Sequence, residues 1–388
     1  MSALKGVIVS GFIALLILLQ FLPLEVQSTG TRDSGMLWCV NLHPEAPDAS
    51  YNLSLADDAL SYIVDLGAKM VRTDIPWDVV EPQNDSWNQT AINFFNEYIN
   101  LTVQKGLDII AILYRPPSWA IDLYNSNKTA FFQEYYEYCK KISHLYGDRI
   151  HYYQAWNEAN HMNDPIAAED DYLLYKYAHS AISSEDDDFE VIVNVFCDLS
   201  GWEDALTDWL SKANESIDII GIDHYPGTWT LSGYDDWYPL DALINHISTP
   251  GDPCYGKKGA VLETGFSTYS SPFHDEDDQR EFINTALPII REKVTSYNQN
   301  HTNKIIIGNW YELIDYNSGG GINPEDHFGI LYTNRTKKPA YDDLKYQISL
   351  FYGNVNELPK ILIVIPPLIA ITSSFIRNPK HRGERNRF

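Results

Sequence analysis

Between residues 34 and 352 the chain alternates short β-rich apolar runs with amphipathic helical stretches, and this alternation constrains the fold more than any other feature. Extended runs separated by helix-length segments call for parallel strands, because a parallel pair cannot be closed by a tight hairpin and needs a crossover helix. Eight repeats can be counted, with strands expected at 36–41, 69–74, 108–114, 149–156, 190–196, 217–223, 259–263 and 304–310. Helical periodicity is clearest at 55–66, 130–146, 202–213 and 278–296, and 339–351 closes the ring. The predicted fold is therefore α/β, a (β/α)8 TIM barrel over 34–352. No low-complexity linker divides it, and 388 residues suit one barrel plus terminal segments.

Both ends lie outside that pattern. Residues 6–24 form an apolar run behind Lys5, which predicts a signal peptide or an N-terminal anchor within 1–29. Residues 361–376 are uncharged, interrupted by Pro366 and Pro367, and precede a basic tail at 377–388, as a C-terminal transmembrane segment with a cytoplasmic end would. In that tail Arg377, Lys380, Arg382, Arg385 and Arg387 face only Glu384. The tail is thus +4, and the rest of a chain of net charge −25 carries −29. A body so acidic repels phosphate backbones, which excludes nucleic acid as the expected partner. Eight Asn-x-Ser/Thr sequons, at Asn52, Asn84, Asn88, Asn100, Asn127, Asn214, Asn300 and Asn334, exceed the roughly three that 27 asparagines would give by chance. The expected location is extracytoplasmic, secreted or anchored at the cell surface. Cys39, Cys139, Cys197 and Cys254 show no Cys-x-x-Cys pattern and could form up to two disulfides or remain buried thiols.

Barrel enzymes assemble their sites at the carboxyl ends of the strands. The fourth expected strand ends Tyr153-Gln154-Ala155-Trp156-Asn157-Glu158, and the seventh ends Val261-Leu262-Glu263-Thr264-Gly265. Each run delivers a carboxylate to the rim, and these strands face each other across the mouth. A glutamate after a strand is more often an exposed residue or a helix cap. Two opposed carboxylates, however, are what glycoside hydrolysis needs, one to protonate the leaving oxygen and one to attack the anomeric carbon or activate water. No metal or other cofactor is expected, because His43, His151, His161 and His224 lack any His-x-x-x-His or His-Glu-x-x-His spacing.

Taken with Val71-Arg72-Thr73-Asp74-Ile75-Pro76-Trp77, Pro117-Ser118-Trp119-Ala120, Ile222-Asp223-His224-Tyr225-Pro226, Gly308-Asn309-Trp310-Tyr311 and Lys338-Pro339-Ala340-Tyr341, the sequence resembles the glycoside hydrolases of clan A over about residues 34–352. Its motifs are similar to those of families 39, 5 and 53. The resemblance implies a retaining β-glycosidase with Glu158 as acid/base and Glu263 as nucleophile. It further implies that Arg72 and Tyr225 hydrogen-bond the nucleophile, that Asn157 binds the sugar 2-hydroxyl, and that Trp310 floors the subsite of the cleaved sugar. His224 would hold substrate or cap its loop, and Trp119, with Trp77 and Trp229, would offer further stacking platforms or pack in the core. The expected partner is a β-linked carbohydrate. Two other functions fit the same residues: a transglycosylase that remodels surface glycans, and a catalytically silent carbohydrate-binding protein.

Overall fold

The computed structural model describes residues 34–44, 50–269, 274–316 and 323–353, and all eight expected strands are present in it. They are β1 (Leu37–Asn41), β2 (Met70–Asp74), β3 (Asp108–Leu113), β4 (Tyr152–Ala155), β5 (Glu190–Phe196), β6 (Ile219–Asp223), β7 (Lys258–Thr264) and β8 (Ile305–Trp310). Each pairs in parallel with its chain neighbour and β1 pairs with β8, so the sheet closes into a barrel. The segments expected as a signal or anchor and as a C-terminal span lie outside the described residues. Among the described residues no helix is long and apolar enough to cross a membrane.

Every strand is followed by a helix: α1 (Leu53–Leu66), α2 (Gln89–Gln104), α3 (Lys128–Tyr146), α4 (Asp171–Ser183), α5 (Trp202–Ala213), α6 (Tyr238–Ser248), α7 (Glu276–Asn300) and α8 (Tyr341–Phe351). In α1 the buried residues Ala56, Ala59, Leu60, Ile63 and Leu66 recur at helical spacing and make one face apolar. Asn52 caps its start by accepting from the Ser54 and Leu55 amides. Gly67 ends it at φ 84°, a left-handed conformation that costs glycine nothing. Asp275 and Asp278 form a reciprocal capping box at the start of α7. The four cysteines are buried free thiols, so neither of the two possible disulfides forms.

Side chains alternate across a strand, so every second residue of each strand faces the barrel interior. The lower part of that interior is an apolar plug of Cys39, Met70, Ile110, Ile192, Ile219, Ala260, Leu262 and Ile307. Two residues further along four of these strands stand Asn41, Arg72, Asn194 and Asn309, joined by Gln154 two residues past the half-buried Tyr152 of β4, and all five are buried. The interior thus changes from apolar to polar within one pleat, just below the rim. In β7 an extra residue breaks the register against both neighbours: Val261 and Glu263 oppose consecutive residues Ile222 and Asp223 of β6, and the pairing with β8 shifts between Val261 and Thr264. Such a bulge turns a side chain off its ordinary face.

Candidate active site

The polar layer is organised by Arg72. Its Nη1 lies 2.6 Å from Glu263 Oε1 and donates to Asn41 Oδ1 at 2.8 Å. Its Nη2 donates to Asn157 Oδ1 at 2.9 Å, and its Nε to Gln154 Oε1 at 2.8 Å. A guanidinium that is 1% exposed would be costly without these partners, and here every nitrogen has one. Burial opposes its charge, but Glu263 and then Asp223 outweigh it and hold the guanidinium firmly protonated. Tyr225, two residues past the end of β6, donates its hydroxyl to Glu263 Oε2 at 2.5 Å. Both oxygens of Glu263 are therefore engaged, which the bulge in β7 makes possible by aiming Glu263 into the mouth.

Glu158 reaches the same mouth from the turn after β4. Trp156 at φ 66° and Glu158 at φ 45° both adopt the left-handed region, an unusual and strained choice for side-chain-bearing residues. The turn is held by Asn194, whose Oδ1 accepts from the Glu158 amide at 3.0 Å, and by Asp164, which accepts from the Trp156 indole at 2.6 Å. Carboxylate oxygens of Glu158, Asp223 and Glu263 all lie within 4.8 Å of one another. Burial first, and then the charge of Glu263, push the Glu158 carboxyl up to about 8. Asn157 accepts at its Oδ1 from Arg72, Gln154 and Asn194, and its amide nitrogen takes no part in these bonds.

Asn41, Arg72, Asn157, Glu158, Tyr225 and Glu263 line a cavity of about 720 Å³ that also exposes His43, Asp74, Arg115, Phe196, Trp229, Tyr311, Glu312, Tyr316 and Glu325. His43 Nδ1 bonds Asp74, and its Nε2 lies 3.1 Å from Asn41 Nδ2 and 3.6 Å from Glu312. Burial works to raise the Asp74 carboxyl, but the neighbouring His43 prevails and holds it below the ordinary range. Glu325, contributed by the 3-10 turn Pro324–His327, is raised to about 7 by burial and by the charge of Glu263.

Six of the residues expected from sequence meet at this cavity: Glu158, Glu263, Arg72, Asn157, Tyr225 and Trp229. Four do not. Trp310 is fully buried, points outward from the barrel and packs its ring against Phe282 of α7. Ile307, Asn309 and Tyr311 hold the inward parity, so Tyr311, not Trp310, supplies the aromatic wall. Trp119 lies beside Trp77, donating its indole to the Glu81 carbonyl at 3.2 Å, and does not line the cavity. His224 has both nitrogens occupied, Nδ1 with Asp198 at 2.5 Å and Nε2 with the Asp236 carbonyl at 2.8 Å, so it pins the loop after β6 and leaves substrate to others. Trp77 is fully buried core, whereas Trp229 is 39% exposed at the cavity edge.

Asp223 and Asp74 are not among the residues expected from sequence, although both continue the inward parity of their strands (Ile219, Gly221, Asp223; Met70, Arg72, Asp74). Nor is Glu325, which sits in an irregular segment with no periodic signal.

A family model described as glycosyl hydrolase family 1 matches residues 46–227, somewhat under half of the chain. No curated protein matches the sequence. Among solved structures, a family 39 glycoside hydrolase from the gut symbiont Bacteroides cellulosilyticus WH2 superposes with a TM-score of 0.60 at 16% identity, over 82% of this chain and 65% of that one. This chain therefore spans under two thirds of that enzyme's length. A family 1 β-glucosidase from Thermotoga maritima gives 0.60 at 14% identity, over 82% of this chain and 98% of that one. An exo-β-1,4-mannosidase from an Opitutaceae bacterium gives 0.63 at 14% identity, over 82% of this chain and 60% of that one. At such identities the structural likeness is one of fold.

Proposed function

We propose that this chain, a glycoside hydrolase of clan A, is a retaining enzyme that cleaves β-linked glycosides of an oligo- or polysaccharide by double displacement. One observation carries the reading: Glu158, held protonated near neutral pH, stands within 4.8 Å of Glu263, whose two oxygens are bound by Arg72 and Tyr225. Carboxyls of a retaining pair are about 5–5.5 Å apart, whereas an inverting pair needs about 6.5–9.5 Å to admit a water.

In the first step Glu158 gives its proton to the glycosidic oxygen while a Glu263 oxygen bonds to the anomeric carbon. The carbon–oxygen bond to the leaving group breaks, and an alcohol departs. In the second, Glu158 takes a proton from water, whose oxygen attacks the same carbon and releases Glu263. Asn157 offers its free amide nitrogen to the sugar 2-hydroxyl, a bond that strengthens as the ring approaches an oxocarbenium ion. Trp229 and Tyr311 present aromatic faces for the C–H face of a pyranose.

Besides the protonated Glu158, the cavity wall carries Asp74, Asp198, Glu263, Glu312 and Glu325 against Arg72 and Arg115. Such a field favours uncharged sugars over uronic acids, because an added carboxylate would meet repulsion in a site of low dielectric. The filled catalytic positions favour an enzyme over a silent binding protein. Proton NMR of the first product formed from an activated β-glycoside should show the β-anomer; an α-anomer would contradict retention.

Export is the second part of the proposal. The sequon asparagines Asn52, Asn84, Asn127, Asn300 and Asn334 are exposed on the barrel surface, as N-glycosylated positions are. Enzymatic removal of N-glycans should shift the mobility of the native protein on a gel. An unshifted band would remove this support.

A further inference from the structure

The chemistry above uses two carboxyls, yet a third, Asp223, lies against both of them. Asp223 ends β6 in full burial, with an oxygen within 4.8 Å of both Glu158 and Glu263. Its Oδ2 accepts from Asn194 Nδ2 at 2.5 Å, and its Oδ1 has no donor among the described residues. A buried carboxylate oxygen without a donor is costly, and all three nitrogens of the nearby Arg72 are bonded to other groups. The group placed to meet it is the carboxyl of Glu158, an oxygen of which lies within 4.8 Å of an Asp223 oxygen. Two carboxyls can bond only when a proton stands between them.

The groups facing Asp223 decide where that proton resides. Glu263 on β7 is paired with the nearby cation, Arg72 on β2. The Cys197 thiol after β5 and the Tyr225 hydroxyl on its own loop are buried and neutral. Asn194 on β5 offers an amide. The Arg72 charge thus faces three carboxyls, and it is paired with Glu263. Burial, then Glu263 and Glu158, hold the Asp223 carboxyl well above the ordinary range.

We propose that Asp223 is a positioning residue that stays protonated through the catalytic cycle and donates a hydrogen bond to Glu158. In the resting enzyme that bond fixes the Glu158 carboxyl with its own proton turned toward the leaving oxygen. When Glu158 has given this proton away, the Asp223 hydroxyl remains and stabilises the new carboxylate. It is then ready to take the next proton from water. No proton leaves Asp223 at any step, and Asp223 adds no negative charge beside Glu158 and Glu263.

Asparagine is the neutral isostere of a protonated aspartic acid, with a donor for Glu158 and an acceptor for Asn194, so it separates this role from others. The inference rests on Glu158 being the acid, and the experiment tests both. Asp223→Asn should keep the basic limb of the kcat/KM profile in place and retain activity within about threefold. Asp223→Ala should slow substrates with poor leaving groups roughly ten- to hundredfold, with little effect on activated aryl glycosides, as expected when an acid is mispositioned. A fall of the basic limb by about one unit or more in Asp223→Asn would mean that a negative charge had been removed, and would overturn the proposal. Equal slowing of both substrate kinds by Asp223→Ala would overturn it too, by showing a merely structural part. Should Asp223→Ala fail to fold, infrared spectroscopy gives the same answer. At a pH above the basic limb the wild type should keep a protonated-carboxyl stretch that Asp223→Asn lacks, and its absence from the wild type would sink the idea. If Glu158→Gln itself slows both substrate kinds alike, the assignment of the acid fails; if Glu158→Gln is selective while Asp223→Asn moves the limb, only the present inference fails.

Discussion

The lower and upper halves of the barrel interior are lined by the same strands, one pleat apart, and are built from opposite materials. Below, Met70, Ile110, Ile192, Ile219 and Ile307 exclude water and hold the strands together by apolar burial. Above, Arg72, Gln154, Asn194 and Asn309 are equally shut off from solvent but are bound to one another and to Asn41, Asn157 and Leu262 by directed hydrogen bonds. The first layer tolerates approximate shape, whereas the second needs every donor matched, since an unmatched one costs its full desolvation. The difference separates stability from chemistry within a few ångströms, so substitutions in the two layers should fail in different ways.

The largest effect is expected at the rim. Glu263→Ala should lower hydrolysis about 10⁴-fold or more with the native fold kept, and should also lower the melting temperature, because Arg72 loses the partner of its buried charge. Azide should partly restore turnover of an activated β-glycoside and give the α-glycosyl azide. Comparable loss of structure, read by circular dichroism, would blur the proposed division.

A smaller but sharper effect concerns Glu158. Its carboxyl lies near 8, so it is protonated below that value and activity should fall as the pH rises through it. Glu158→Gln should abolish this limb and slow substrates with poor leaving groups by roughly 10²–10³-fold. A basic limb that persists in the variant would assign the titration to another group. In the lower layer the expectation reverses. Ile192→Ala should cost about 2–5 kcal/mol of stability through the cavity it leaves, with kcat preserved at temperatures where the protein remains folded. A selective loss of kcat there would show that the two layers are not independent.

The contrast also explains what could be read from sequence. Apolar runs and their spacing set the strand bounds to within three residues of those observed, because a barrel strand buried on both sides leaves a continuous apolar signature. Glu158 and Glu263 stood out as carboxylates that end such runs. Trp310 misled because its residue type suits sugar stacking while its parity on β8 does not; counting in twos from Ile307 leads to Tyr311. The same count marks Asp74 and Asp223. It does not find Glu263, which enters the mouth only because β7 carries an extra residue, and there the functional motif was the better guide. Glu325 and the His43–Asp74 contact depend on loops whose course no local pattern encodes.

The central claim is that Glu263 bonds covalently to the sugar. A slow 2-fluoro-β-glycoside of an accepted sugar, followed by proteolysis and mass spectrometry, tests this directly. The expected result is one glycosyl group per chain on the peptide that contains Glu263, formed in the wild type and absent from Glu263→Ala. A label on another carboxylate, or turnover with no covalent species and inversion at the anomeric carbon, would contradict it.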